Sequence, residues 1–166
     1  EARRIETLTD QMQEKISNYL AECTKHELSG GSAKSASDMI RIVNELESIG
    51  DSILNLFLIN EKIDDGTLNT EMKNQIIELF NKINQFTKWN YSFISENLKQ
   101  MSSDDLEKSI YFENEIDDMR NMHIEESAKR LAKDSNSKSE LIFIDVVKHL
   151  EHIGDFSLNI SQALED

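Results

Sequence analysis

The sequence predicts an all-α protein, an antiparallel bundle of about five long helices, on three observations. The 166 residues contain no proline and five glycines, and they are rich in Glu, Lys, Leu and Ile, a composition that favours helix throughout. Apolar residues recur at a 3.6-residue period in five stretches of roughly 20 to 30 residues, joined by short connections. Finally, a ten-residue helical motif occurs twice, which points to a duplicated unit.

Each element has its own signal. In the first helix, over about 1–21, Ile5, Leu8, Met12, Ile16 and Tyr19 form one stripe. The segment Leu28-Ser29-Gly30-Gly31-Ser32 ends it as a loop. The second helix runs over about 33–60, with Ile40, Val43, Leu46, Ile49, Ile53, Leu54, Phe57 and Leu58 apolar. Asp64-Asp65-Gly66 reads as a turn. The third helix starts near Thr67 or Thr70 and reaches about Lys99, its apolar face carrying Ile76, Leu79, Phe80, Ile83, Phe86, Tyr91, Ile94 and Leu98. Ser102-Ser103-Asp104-Asp105 supplies a cap and first-turn acids for a fourth helix that continues to about Lys133 with Ile110, Ile116, Met119, Ile124 and Leu131. Ser137 with Glu140 has capping-box spacing and opens a fifth helix to the C-terminus. No linker or low-complexity stretch interrupts the chain, so the only internal boundary is that of the duplication, between 1–66 and 67–166.

Charge narrows the partners. A net charge of −14, from 32 acids against 18 bases, argues against nucleic acid and against electrostatic docking on an anionic membrane. No apolar run approaches the roughly 18 residues that would cross a bilayer, so direct membrane insertion is not expected. The lone Cys23 has no intrachain disulfide partner, which fits a reducing compartment.

The repeated motif is LESIGDSILN from Leu46 and LEHIGDFSLN from Leu150, with seven of ten positions identical at an offset of 104 residues. Each copy places two acids at i, i+4 on one helical face: Glu47 with Asp51, and Glu151 with Asp155. A glycine lies between them in the helix interior, where it costs about 1 kcal/mol relative to alanine, so something must approach the backbone closely. The preceding helix of each half carries a similar pair: Glu6 with Asp10, and Glu113 with Asp117, at an offset of 107. The correspondence then slips, because Ile16 falls opposite His123, one position short of Ile124. Antiparallel packing would gather four carboxylates in each half. Unneutralised, such a cluster repels itself, and an all-oxygen set favours hard cations or iron. Acids are 32 of 166 positions, so an isolated pair is most often solvated surface, and the glycines also fit metal-free close packing.

Other candidates are weaker. His149 and His152 flank Glu151 and could join a metal site, although surface histidines are commoner. Glu-x-x-His, the mark of di-iron bundles, is absent. Trp89 and Tyr91 suit core or boundary packing better than partner anchoring. Cys23 fits an inert thiol better than a nucleophile. There is no phosphate-cradling glycine loop and no nucleophile–base set, so an enzyme is not expected.

The motifs Leu46-Glu-Ser-Ile-Gly-Asp51 and Leu150-Glu-His-Ile-Gly-Asp155, each preceded by a Glu-x-x-x-Asp helix, resemble the PhoU family of phosphate regulators. The resemblance implies duplicated three-helix units, here with the first helix missing, and a divalent metal or iron cluster on the acid motifs in some members. It departs from the family where Arg follows the motif Glu, since Ser48 and His152 stand there. PhoU-like domains also follow the membrane part of bacterial sodium/phosphate cotransporter proteins. The resemblance therefore implies a regulatory domain on the cytoplasmic side of the membrane, whose partner is the transporter domain of the same polypeptide or another phosphate transporter. The alternatives are a free-standing adaptor between transporter and sensor kinase, a metal-dependent helical enzyme, and a metal-free interaction module. Glu113, Asp117, Glu151 and Asp155 form the more complete metal candidate, and Glu6, Asp10, Glu47 and Asp51 the second. With a helix missing, apolar surface in the first half should be covered by a second copy or by a segment outside this chain.

Overall fold

The computed structural model describes residues 2–25, 30–64, 66–96, 98–133 and 136–165. It contains five helices: α1 Ala2–Thr24, α2 Gly30–Asn60, α3 Thr70–Ser95, α4 Ser103–Leu131 and α5 Ser137–Ala163. Among the described residues there is no strand, only an isolated bridge in which Met101 N donates to Leu164 O at 2.7 Å and ties the α3–α4 connection to the C-terminal end. The predicted all-α bundle is what forms.

The helices divide into a hairpin and a bundle. α3, α4 and α5 pack on one another, α2 packs along α5, and α1 packs on α2 alone among the helices. α5 is the central element because its sequence suits burial on several sides: Phe143, Val147, Leu150 and Ile160 fill core positions, while Gly154, Ser157, Ser161 and Ala163 let neighbours approach. The inward-facing Ser157 and Ser161 hydroxyls are satisfied. Asn90 of α3 donates to Ser157 O at 2.5 Å and accepts from Ser161 Oγ at 2.7 Å, which pins α3 to α5. The main core joins Met72, Leu79, Ile83 and Phe86 of α3 to Ile116 of α4 and to Phe143, Val147 and Leu150 of α5.

Several boundaries differ from the sequence reading. Gly30, Gly31 and Ser32 form the first turn of α2 rather than loop, a position where glycine is tolerated because first-turn N–H groups have no helical partner anyway. Leu28 and Ser29 of that expected loop, Asp65 of the expected turn, and Glu1 and Asp166 at the two ends lie outside the described residues. α3 ends at Ser95, not near Lys99: Leu98 takes a left-handed conformation (φ 55°), Lys99 N turns back to Phe93 O at 3.0 Å, and the Leu98 side chain packs on the Phe93–Met101–Ile160 cluster. The expected cap at Ser102–Asp105 forms, as a capping box. That of Ser137 and Glu140 does not. Asn136 caps α5, accepting from the backbone of Lys138 and Ser139. Glu140 is instead fully buried, bonded by Ser127 Oγ at 2.7 Å and by Arg130 Nε at 2.9 Å.

Some residues assigned to apolar faces by spacing are exposed. Phe80 and Tyr91 of α3, with Ile110 and Leu131 of α4, lie on the outside. Phe80 lines an apolar cleft of about 650 Å³ that stays open between α2 and α3, whose backbones nowhere come within 8 Å Cα to Cα. The α1 stripe is likewise open: no residue of α1 is buried, and Ile5, Leu8 and Met12 are more than half exposed. α1 meets α2 instead through a more polar side, with Gln13 donating to Asn44 Oδ1 at 2.8 Å.

Candidate metal centre

Both motif glycines lie close against another helix. A Cβ placed on Gly154 would lie 3.1 Å from Ile116 Cγ2, and one placed on Gly50 would lie 3.3 Å from Thr9 Oγ1. Gly50 and Gly154 are related by the offset of 104, Thr9 and Ile116 by 107. Each glycine therefore lies where the preceding helix makes a close approach, at nearly matching offsets, the approach of Ile116 being the closer. The slip at Ile16 and His123 persists in the structure. His123 is fully buried, edge-on to Phe143 at 6.2 Å between ring centres, whereas Ile16 is exposed.

Close crossing brings the acids together. On α4 and α5, one carboxylate oxygen each of Glu113, Asp117 and Asp155 lie within 4.8 Å of one another, all three groups half-buried. On α1 and α2, Glu6, Asp10 and Asp51 do the same in a more exposed setting. Each trio comprises three of the four acids expected from the sequence, and the fourth lies outside it. Glu151 is buried and accepts from Arg120 Nη2 at 2.7 Å, while the same nitrogen lies 3.4 Å from Asp117 Oδ1. Glu47 sits beside its trio, with Ser48 Oγ at 3.5 Å.

The electrostatics differ between the units. Burial, then the charges of Asp117, Asp155 and Glu151, hold the Glu113 carboxyl above its ordinary pKa. Burial, then Glu151 and Asp117, do the same for Asp155. Burial opposes the charge on Arg120, but Glu151 and Asp117 outweigh it and raise its pKa, so the guanidinium stays charged and offsets part of the cluster. In the first half Glu47 is also raised, by burial and then by Asp51 and Asp10, against a lowering hydrogen bond from Ser48. Arg120 was not singled out in the sequence. Its signal is its place one turn after Asp117, which sets it on the acid face of α4.

The remaining candidates stand apart from these trios. His152 is exposed, with Nε2 3.7 Å from Glu151 Oε2, and His149 is half-buried and held neutral by burial and by His152; neither belongs to a metal-ligating group among the described residues. Trp89 donates to Ser109 Oγ at 3.3 Å and carries Lys108 Nζ over its ring at 3.7 Å, a boundary packing role. Cys23 is a half-buried free thiol.

The donor set suits a hard cation. All donors are carboxylate oxygens, three converge in each unit, and the raised pKa values of Glu113 and Asp155 mark a like-charge penalty that a cation would relieve. A helical bundle with duplicated, convergent acid pairs is the class of protein these observations define. Residues 91–164, spanning the end of α3 and all of α4 and α5, match the PhoU domain. No curated protein and no solved structure matches the chain. No helix among the described residues is long and apolar enough to cross a membrane.

Proposed function

We propose that this chain is a regulatory domain of phosphate homeostasis, without catalysis of its own, that modulates phosphate uptake through helix-bundle contacts with a transporter. The observation that carries this reading is the PhoU match over residues 91–164, which falls on the unit holding Glu113, Asp117 and Asp155. In its finer form the partner is a sodium/phosphate cotransporter, with the membrane part on the same polypeptide and this domain on the cytoplasmic side. Units 1–66 and 67–166 act as the two halves of one domain. Exposed apolar surface, including the cleft between α2 and α3, supports a role in contacts.

A divalent cation or iron on the acid trios is part of the proposal. Glu113, Asp117 and Asp155 would hold one, and Glu6, Asp10 and Asp51 a second. Bound there, a cation would supply positive charge that cross-links two helices and could itself take up phosphate, which a domain of net charge −14 otherwise repels.

The test is phosphate uptake by cells that carry the cotransporter, with and without this chain. The reading expects uptake to change when the chain is removed and to return when it is supplied. Uptake that is identical in both cases would overturn it.

A further inference from the structure

The two units differ in one respect that the repeat makes legible. In the second unit α3 covers the face of α4 that carries Phe112 and Met119: Phe112 stacks on Phe86 at 5.3 Å, and Met119 packs against the main core. The equivalent positions of α1, at the offset of 107, are Ile5 and Met12. They are 56% and 51% exposed. Together with Leu8, Ile16 and Tyr19 they form a bare apolar stripe along the whole of α1. The stripe borders a groove of about 470 Å³, in which Ile16 and Tyr19 face Met39, Val43 and Leu46 of α2. A face of this kind is shaped to receive a helix.

We propose that the occupant is α1 of a second copy, in an antiparallel, two-fold contact centred on Met12. Two observations select a second copy. The stripe is palindromic in its spacing: 5, 8, 12, 16 and 19 read three, four, four, three. A two-fold axis at Met12 then sets Ile5 of one copy against Tyr19 of the other, Leu8 against Ile16, and Met12 against itself, the self-complementarity that an isologous interface requires. Charge points the same way. α1 carries three bases (Arg3, Arg4, Lys15) and four acids (Glu6, Asp10, Glu14, Glu22), a net −1, whereas the whole chain carries −14. α1 is therefore a near-neutral surface on a strongly acidic molecule, where two copies repel least, and the antiparallel arrangement brings Arg4 of one copy toward Glu22 of the other.

The experiment uses the 166-residue chain in a Cys23→Ser background. Sedimentation equilibrium from 1 to 200 µM should show reversible dimerisation, weakened at least tenfold by Leu8→Glu. Leu8 is exposed in the monomer, so that variant keeps its helical circular dichroism. Under mild oxidation Met12→Cys should cross-link to a disulfide dimer. Leu8→Cys alone should not, because its opposite is Ile16, whereas Leu8→Cys with Ile16→Cys should. A chain that remains monomeric throughout, or cross-linking no faster at position 12 than at position 8, would overturn the proposal. If another segment or protein covers the stripe, the result is that same monomer.

Discussion

Ile116 of α4 lies directly over Gly154 of α5, 3.1 Å from where a Cβ would stand, and Ile116 is itself 1% exposed. The branched side chain has nowhere to go. Gly154→Ala should therefore destabilise the protein: overpacking costs about 1–3 kcal/mol, against about 1 kcal/mol gained from helix propensity. Gly50→Ala meets only the Thr9 hydroxyl at 3.3 Å, on an unburied helix that can yield, and should be neutral or stabilising by up to about 1 kcal/mol. Urea denaturation of the two variants checks the contrast. Equal effects would contradict the claim that the second crossing is the tighter one.

Glu140 supplies a separate test within the core. Its carboxylate is fully buried and held by Ser127 and Arg130, and the Arg130 guanidinium also stacks over Phe143 at 5.0 Å. Glu140→Ala leaves the guanidinium without its buried partner and should cost about 3–5 kcal/mol, the range for breaking a buried pair from one side. Glu125→Ala breaks only an exposed i, i+4 pair with Lys129 and should change stability by no more than about 0.5 kcal/mol. Thermal unfolding of both variants measures the difference.

These two cases show what was legible in the sequence. The five helices were readable because their apolar periods are long and uninterrupted. The acid pairs and their glycines were readable because the repeat marks them. Glu140 was misread because Ser-x-x-Glu spacing signals a cap as well in solution as in a bundle. The acid is drawn inward by Arg130 and Ser127, both in the last two turns of α4. The open faces of α1 and Phe80 could not be read from spacing, because periodicity says which side of a helix is apolar and not whether anything lies against it. The pairing of Arg120 with Glu151 depends on the crossing of α4 over α5, which no local pattern records.

Acid titration separates the two kinds of buried group. Glu113 and Asp155 have folded pKa values above their ordinary 4.5 and 3.8, so the folded state binds protons more readily than the unfolded chain. Their penalty is fully present above the folded values and is relieved as pH falls through them, so these groups favour the fold in acid. His123 has the opposite effect. Burial lowers its pKa below 6.5, and the stability of its neutral form is lost as pH falls beneath that value. In chelated protein Asp155→Asn should thus be more stable than the parent at pH 7.5, by a few tenths of a kcal/mol. That advantage should shrink as pH falls and vanish only well below the ordinary value of 3.8, where Asp155 is protonated in both states. Denaturation curves across this range give the answer, and a constant difference would remove Asp155 from the repelling cluster.

The central claim is that the duplicated motif builds cation sites, and cation-dependent unfolding tests it most directly. Chelated protein is titrated with Mg²⁺, Mn²⁺, Ca²⁺, Zn²⁺ and iron while the thermal midpoint is followed, in the parent and in Glu113→Gln/Asp155→Asn. The account predicts that at least one of these cations stabilises the parent, by about 2.7 kcal/mol at a hundredfold excess over its dissociation constant. A domain of this size should then gain on the order of 5–10 °C, most of which the double variant loses. No shift with any cation, or the same shift in the double variant, would contradict it and leave the two acid-flanked glycines as packing devices alone.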